Sequence, residues 1–319
     1  MIPRVSVVLS AYNGEQWIDE CIQSVLGQTL KDFELIITDD GSKDGTWAHI
    51  NTYKDPRIRA FRQENRGIAA TANRGIGFAR AAYIARIDQD DVMLPERLQR
   101  EFDYLEAHPD VALVCTYAQL IHDRAISTEM YRAPLSSTAL ALRLVFECPI
   151  VQPSVVFRTD VFRRLGGYDE DKRIHGADDF DTWTRMAMDH KLKCLAEPLT
   201  RYRLHQKNFS SAVTSVDHNI LISERSLKRY LGDSATIAEC HALAAIFHRD
   251  AKLVPPLSRR RALDMFDQVT AIIAGPDTTW DKETREVYNL QRRMIRFHHI
   301  LRAPVFRPLV QRIPKLRLR

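Results

Sequence analysis

The chain has 319 residues, 45% of them hydrophobic and 27% charged, with 12 Gly and 14 Pro. This composition excludes disordered, collagen-like and coiled-coil classes and leaves room for one large or two modest globular domains. The net charge of +5 is uneven: residues 291–319 hold nine Lys or Arg and no acid, which leaves −4 on the residues before them. Such a basic end suits nucleic acid or an anionic membrane surface.

No apolar run approaches the roughly 18 residues that cross a bilayer, and the N-terminus carries no secretory pattern, so a cytoplasmic protein is expected. Five scattered cysteines without a Cys-x-x-Cys pair suggest neither a disulfide framework nor a zinc knuckle.

In chain order, β-branched apolar runs recur at Val5 to Leu9, Glu34 to Thr38, Ile58 to Phe61, Tyr83 to Ile87 and Val111 to Tyr117. Helical spacing intervenes, as in Ile18, Ile22, Val25 and Leu26, or Leu94, Leu98, Phe102 and Leu105, the latter in a helix expected to start at Pro95. The alternation predicts a mostly parallel sheet flanked by helices, with ligands bound beyond the carboxyl ends of the strands. After about residue 215 helical patterns take over: Asn219 to Tyr230, Arg259 to Ala274 and Asp281 to Leu301. The expected division is therefore residues 1–214 and 215–319.

Four polar clusters follow strands or open helices. Ser10-Ala11-Tyr12-Asn13-Gly14-Glu15 offers a ring and a carboxylate for a heterocyclic base, or is a plain turn. Asp39-Asp40-Gly41-Ser42-Lys43-Asp44-Gly45-Thr46 imitates half a calcium loop, but Asn51 stands where a bidentate Glu is required. A carboxylate there suits a uracil imide or a ribose hydroxyl. Asp88-Gln89-Asp90-Asp91 concentrates three acids whose repulsion a divalent cation, Mg²⁺ or Mn²⁺, would relieve. In an extended chain Asp88 and Asp90 would point the same way. Asp178-Asp179 opens a helical pattern running through Phe180, Trp183 and Ala187, where acids suit the helix dipole and a general base alike.

In this order the clusters resemble the family 2 glycosyltransferases with the GT-A fold. Asn65-Arg66-Gly67, Asn73-Arg74-Gly75, Gln152-Pro153-Ser154, Gly166-Gly167-Tyr168-Asp169 and Tyr202-Arg203-Leu204-His205 extend the likeness to about residue 211. The resemblance implies a Rossmann-like α/β domain, a mostly parallel mixed sheet flanked by helices; the C-terminal helical extension lies outside it and rests on the apolar spacing alone. It also implies an inverting, hexosyltransferase-type transfer from a nucleotide-sugar, usually a UDP-sugar, to a hydroxyl of a glycan or lipid-linked acceptor in cell-surface polysaccharide synthesis. Carried over residue by residue, Ser10, Tyr12, Glu15, Asp40, Arg66 and Asp88 would bind the nucleotide, Asp90 and His205 the metal, and Asp179 would deprotonate the acceptor.

Departures from the family's pattern are Asp178 where Glu is frequent, leaving either neighbour able to be the base, and Gln152 where His is frequent. The Gln-x-x-Arg-Trp motif of processive members is absent, which implies single-sugar transfer. Rival readings are poorly served: no Gly-x-Gly-x-x-Gly follows a strand, and no Gly-x-x-x-x-Gly-Lys occurs. A nucleic-acid-binding module would rest on the basic tail alone, so no nucleic acid is expected. The tail's interleaved Ile295, Phe297, Ile300 and Leu301 suggest instead a peripheral contact with the inner face of the cytoplasmic membrane.

Overall fold

A computed structural model describes residues 2–122, 124–205, 216–248, 257–275 and 280–301, the side chains of 298–301 excepted. The chain forms two units, Met1–Ser137 with Pro149–Thr214, and Thr138–Cys148 with Ser215–Arg319.

The first unit starts with alternating strands and helices: β1 Val5–Ala11, α1 Ile18–Leu26, β2 Phe33–Asp39, α2 Thr46–Thr52, β3 Ile58–Arg62, α3 Ile68–Gly77 and β4 Tyr83–Asp88. The short β5 Val92–Met93 follows, then α4 Arg97–Ala107, β6 Val111–His122 and β7 Ala125–Tyr131. Beyond α5 Ser137–Leu144, the unit resumes with β8 Val155–Arg158, α6 Thr159–Arg164, α7 Asp178–Asp189 and β9 Lys191–Leu204. The nine strands form one mixed sheet in the order β3-β2-β1-β4-β8-β6-β9-β5, with β7 paired on β6. Strands β3, β2, β1 and β4 are parallel, and β8 runs antiparallel to both β4 and β6.

Strands β1, β2 and β4 are buried on both faces, which is why β1 and β2 read as continuous apolar runs rather than alternating ones. Val7, Leu9, Leu35, Ile37, Ala85 and Ile87 pack with Ile18, Ile22, Leu98 and Leu105 of α1 and α4. On the other face Gly75 of α3 lies so close to β1 that an added Cβ would meet Val8 Cγ1 at 2.7 Å. There Phe157 of β8 stacks on Phe162 of α6 at 4.9 Å and meets Trp183 of α7 at 5.5 Å.

Helix α4 starts at Arg97, two residues later than expected at Pro95. The backbone ahead of it is taken by tertiary pairing: Leu94 N donates to Leu199 O, and Pro95 O accepts from Thr29 N.

The second unit is helical: α5, then α8 Val216–Leu231, α9 Ile237–Phe247, α10 Arg259–Ala274 and α11 Lys282–Leu301. Helix α9 has no expected counterpart, because its apolar residues run all round it and leave no periodic stripe to read. A capping box between Thr236 and Glu239 starts it. The core gathers Phe146, Leu227, Leu243, Phe247, Phe266 and Ile295, with Phe146 stacked on Phe247 at 3.5 Å.

Candidate active site

Parallel register puts Ser10 of β1 between Thr38 of β2 and Asp88 of β4, so the polar clusters that follow these strands meet at one sheet edge. Hydrogen bonds lace the loops after β1 and β2 together. Asn13 N donates to Ser42 Oγ (3.0 Å), Gly14 N to Thr46 Oγ1 (2.8 Å), and Gly45 N to Glu15 Oε2 (2.8 Å). Glu15 thus fastens the neighbouring loop. Tyr12, just after β1, is 43% exposed.

Asp40 is buried, and its carboxylate accepts from the Gln63 side chain (2.7 Å) and from the backbone N–H groups of Arg66 (2.9 Å) and Gly67 (3.0 Å). Three of about four acceptor sites are thereby used in shaping the loop that presents the exposed Arg66. Ser10 Oγ is buried and has no partner among the described residues.

The acidic loop after β4 does not stay extended. Asp91 N donates to Asp88 O at 3.1 Å, closing a turn over Gln89 and Asp90, so Asp88 and Asp90 have different neighbours instead of a shared direction. Gln89 holds the turn by a two-way clamp on Tyr12: its Oε1 accepts from Tyr12 N and its Nε2 donates to Tyr12 O, both at 2.9 Å. A Cβ on Gly14 would sit 2.1 Å from Gln89 Oε1, so a side chain there would displace the clamp. The clamp escaped sequence reasoning, since it joins two loops 77 residues apart.

Asp91 is buried and turned inward, where it accepts from Arg203 N at 2.7 Å. Arg203 Nε donates to Asp90 O (2.6 Å), its Nη2 pairs with Glu20 (2.6 Å), and its guanidinium lies 4.2 Å from the Trp17 ring centre. Two residues on, His205 Nε2 stands 2.9 Å from Asp90 Oδ2, its ring stacked on Trp17 at 5.8 Å. The end of β9 therefore braces the acidic turn from one side.

Asp178 and Asp179 open α7, and the turn before it is held from several directions. Asn73 clamps Tyr168 through Nδ2 to Tyr168 O and Tyr168 N to its Oδ1, both 2.9 Å. Arg185, paired with Asp181 at 2.7 Å, donates to the carbonyls of Leu165 and Gly167. Gly167 has φ 81°, and a Cβ there would meet Asn73 Oδ1 at 2.8 Å, so its conformation and its surroundings both call for glycine.

The two acid clusters feel one another. Burial pushes Asp88 up to about 6, opposed by the Arg86 guanidinium and reinforced by the charge of Asp90. Burial likewise raises Asp178 to about 6, with Arg86 opposing and Asp88 adding. Asp179 rises to about 7 through burial, the charge of Asp178 and, more weakly, that of Asp88. Arg86, fully buried on β4 with Nη1 donating to Val8 O, is the cation beneath these carboxylates. A carboxyl titrating near neutrality in a cleft is suited to moving a proton. Asp178 is buried, whereas Asp179 is partly exposed and its Oδ1 accepts from Phe180 N at 2.7 Å.

Among the described residues no group of three or more His, Cys, Asp or Glu side chains forms a ready metal cage. The donor set nevertheless fits a two-ligand site. Asp90 Oδ2 and His205 Nε2, 2.9 Å apart, would together offer a carboxylate and an imidazole to a divalent cation such as Mn²⁺, with substrate phosphate oxygens and water as its other ligands.

The comparisons with known proteins agree with this architecture. The family model described as glycosyl transferase family 2 matches residues 6–166. An uncharacterized glycosyltransferase of Methanocaldococcus jannaschii is 32% identical over 219 residues, covering 66% of this chain and 74% of that protein. Among solved structures, S. aureus TarS in complex with UDP-GlcNAc superposes with a TM-score of 0.64 at 15% identity, over 97% of this chain and 92% of that one. The mannosyltransferase PcManGT of Pyrobaculum calidifontis, in complex with GDP-Man and Mn²⁺, reaches 0.53 at 17% identity, over 94% and 86%. The chain belongs to glycosyl transferase family 2 and is a glycosyltransferase of GT-A fold.

Proposed function

We propose that the enzyme transfers a single hexose-type sugar, with inversion, from a UDP-sugar to a hydroxyl of a glycan or lipid-linked acceptor in cell-surface polysaccharide synthesis. The observation that carries the reading is the meeting of the polar clusters after β1, β2 and β4 at one sheet edge, with Asp88 near enough to Asp178 and Asp179 to raise the proton affinity of both. In this reading Tyr12 stacks on the base, Ser10 and Asp88 meet the ribose side, and Arg66 reaches the diphosphate. Glu15 and Asp40 shape the pocket through the loops they hold. Asp90 and His205 would hold Mn²⁺ or Mg²⁺, which when bound offsets the charge on a departing diphosphate. Asp179 takes the acceptor's proton, and the buried Arg86 keeps the neighbouring Asp178 from competing for it. A UDP-GlcNAc complex of TarS supports the choice of uridine.

The test is thermal unfolding with UDP, GDP and dTDP, each with and without Mn²⁺. UDP with Mn²⁺ should raise the midpoint by several degrees, since a ligand at about 100 times its dissociation constant adds about 2.7 kcal/mol. A shift with GDP alone would overturn the uridine assignment.

For the acceptor's location we infer a peripheral contact of the basic C-terminal segment with anionic lipid. No helix among the described residues is long and apolar enough to cross a membrane. Of the nine cations, Arg302, Arg307, Arg312, Lys315, Arg317 and Arg319 lie outside the described residues. Arg292 pairs with Asp267 at 2.8 Å, while Arg293 and Arg296 are exposed on α11 beside Phe297, 52% exposed. Because Ile295 of α11 is a core residue, the shortened chain should keep α11 and end after Leu301. Cosedimentation with phosphatidylserine liposomes should be strong for the full chain and weak for the shortened one; equal binding by both would sink the inference.

A further inference from the structure

In the first unit a cavity of about 430 Å³ lies between the start of α1 and the strands β6, β7 and β9. Its size is that of a small-ligand pocket. Three guanidiniums line it, those of Arg124, Arg201 and Arg203, with Asp19 and Glu20 as its acids and Trp17 as its largest ring.

The charges do not cancel in place. Asp19 is engaged by His49 (2.6 Å) and by the Tyr53 hydroxyl (2.9 Å), and Glu20 is engaged by Arg203 (2.6 Å). Among the described residues, Arg124 and Arg201 have no carboxylate partner. Arg124 rests about the Trp17 ring at 6.0 Å, and Arg201 Nε is buried without any hydrogen-bond partner. A buried guanidinium N–H left unsatisfied is costly, and it is answered most effectively by an oxyanion, which the guanidinium fork can bind through two parallel hydrogen bonds.

We propose that this pocket is an anion-binding site, distinct from the donor site, that takes the phosphate group of a carbohydrate-sized ligand or free phosphate through Arg201 and Arg124. Arg203 links it to the acidic turn, since the same side chain lines the pocket and donates to Asp90 O. The site stands whether or not the donor is a UDP-sugar, because it is measured without nucleotide.

The experiment is calorimetric titration of the whole chain with inorganic phosphate, glucose 1-phosphate and glucose, in EDTA so that no divalent cation recruits phosphate to the donor site. Both phosphates should bind and glucose should not. Arg201→Gln should weaken binding about tenfold or more, the size of one lost charge-assisted hydrogen bond. Arg124→Gln, at an exposed position where folding is not at stake, should weaken it in the same direction. Tighter binding of glucose 1-phosphate than of phosphate assigns the pocket to a phosphorylated saccharide, and equal binding assigns it to the free anion. Absence of phosphate binding, equal binding of glucose, or affinities unchanged in both variants would overturn the proposal.

Discussion

Asp179→Asn should lower turnover at least about 10²-fold while leaving donor binding intact, as loss of a general base does. The substitution keeps the side chain's size and its ability to accept from Phe180 N, so the first turn of α7 survives. What disappears is a carboxylate held at about 7 by burial and by the charges of Asp178 and Asp88. A loss of 10² to 10⁴ corresponds to about 2.7–5.5 kcal/mol of transition-state stabilisation.

The pH profile supplies a second, independent readout. A base is active only when ionised, so kcat/KM should climb about tenfold per pH unit below 7 and flatten above it. An unshifted carboxylate, ionising near about 3.9, would leave the profile flat over the same interval. The neighbouring substitution discriminates between the two acids. Asp178 is buried against Arg86, so Asp178→Asn should move the pH midpoint downward by removing the nearest like charge, with a smaller effect on the plateau rate. A larger plateau loss in Asp178→Asn than in Asp179→Asn would reverse the assignment of the base.

The parallel half of the sheet was legible because its strands are short apolar runs separated by helices with clear period, and the polar clusters fall at the strand ends as the topology requires. Less was visible where tertiary partners override local pattern. The Asp88 to Asp91 stretch reads either as an extended continuation of β4 or as an acidic turn before the next helix, and it is a turn, held by the Gln89 clamp on Tyr12 and the bond from Arg203 N to Asp91. Nothing local announces either partner, which come from about 77 and 112 residues away. Arg86 was hidden for a similar reason. A single Arg inside an apolar strand looks like an exposed position, but it is fully buried, and its charge partly offsets those of Asp88 and Asp178. The segment Thr138–Cys148, which belongs with the helical unit, sits in sequence between two strands of the other unit and carries no boundary signal of its own.

Asp90→Asn should abolish the Mn²⁺-dependent part of UDP stabilisation and take turnover down with it. Asparagine can still accept from His205 across the 2.9 Å contact, and Arg203 Nε bonds the backbone carbonyl of residue 90, so the turn itself should persist. The variant thus tests the charge and not the loop. His205→Ala should weaken Mn²⁺-dependent binding as well. A residue that only oriented Asp90 would cost about 10- to 100-fold in metal affinity, and a direct ligand at least as much. Because Trp17 stacks on both Arg203 and His205, the His205 variant must be checked for a lowered melting temperature without ligand, which would report loss of that stack instead of loss of metal. Preserved Mn²⁺ dependence with near-normal turnover in Asp90→Asn would place the cation elsewhere and leave the Asp90–His205 pair as a brace between the end of β9 and the acidic turn.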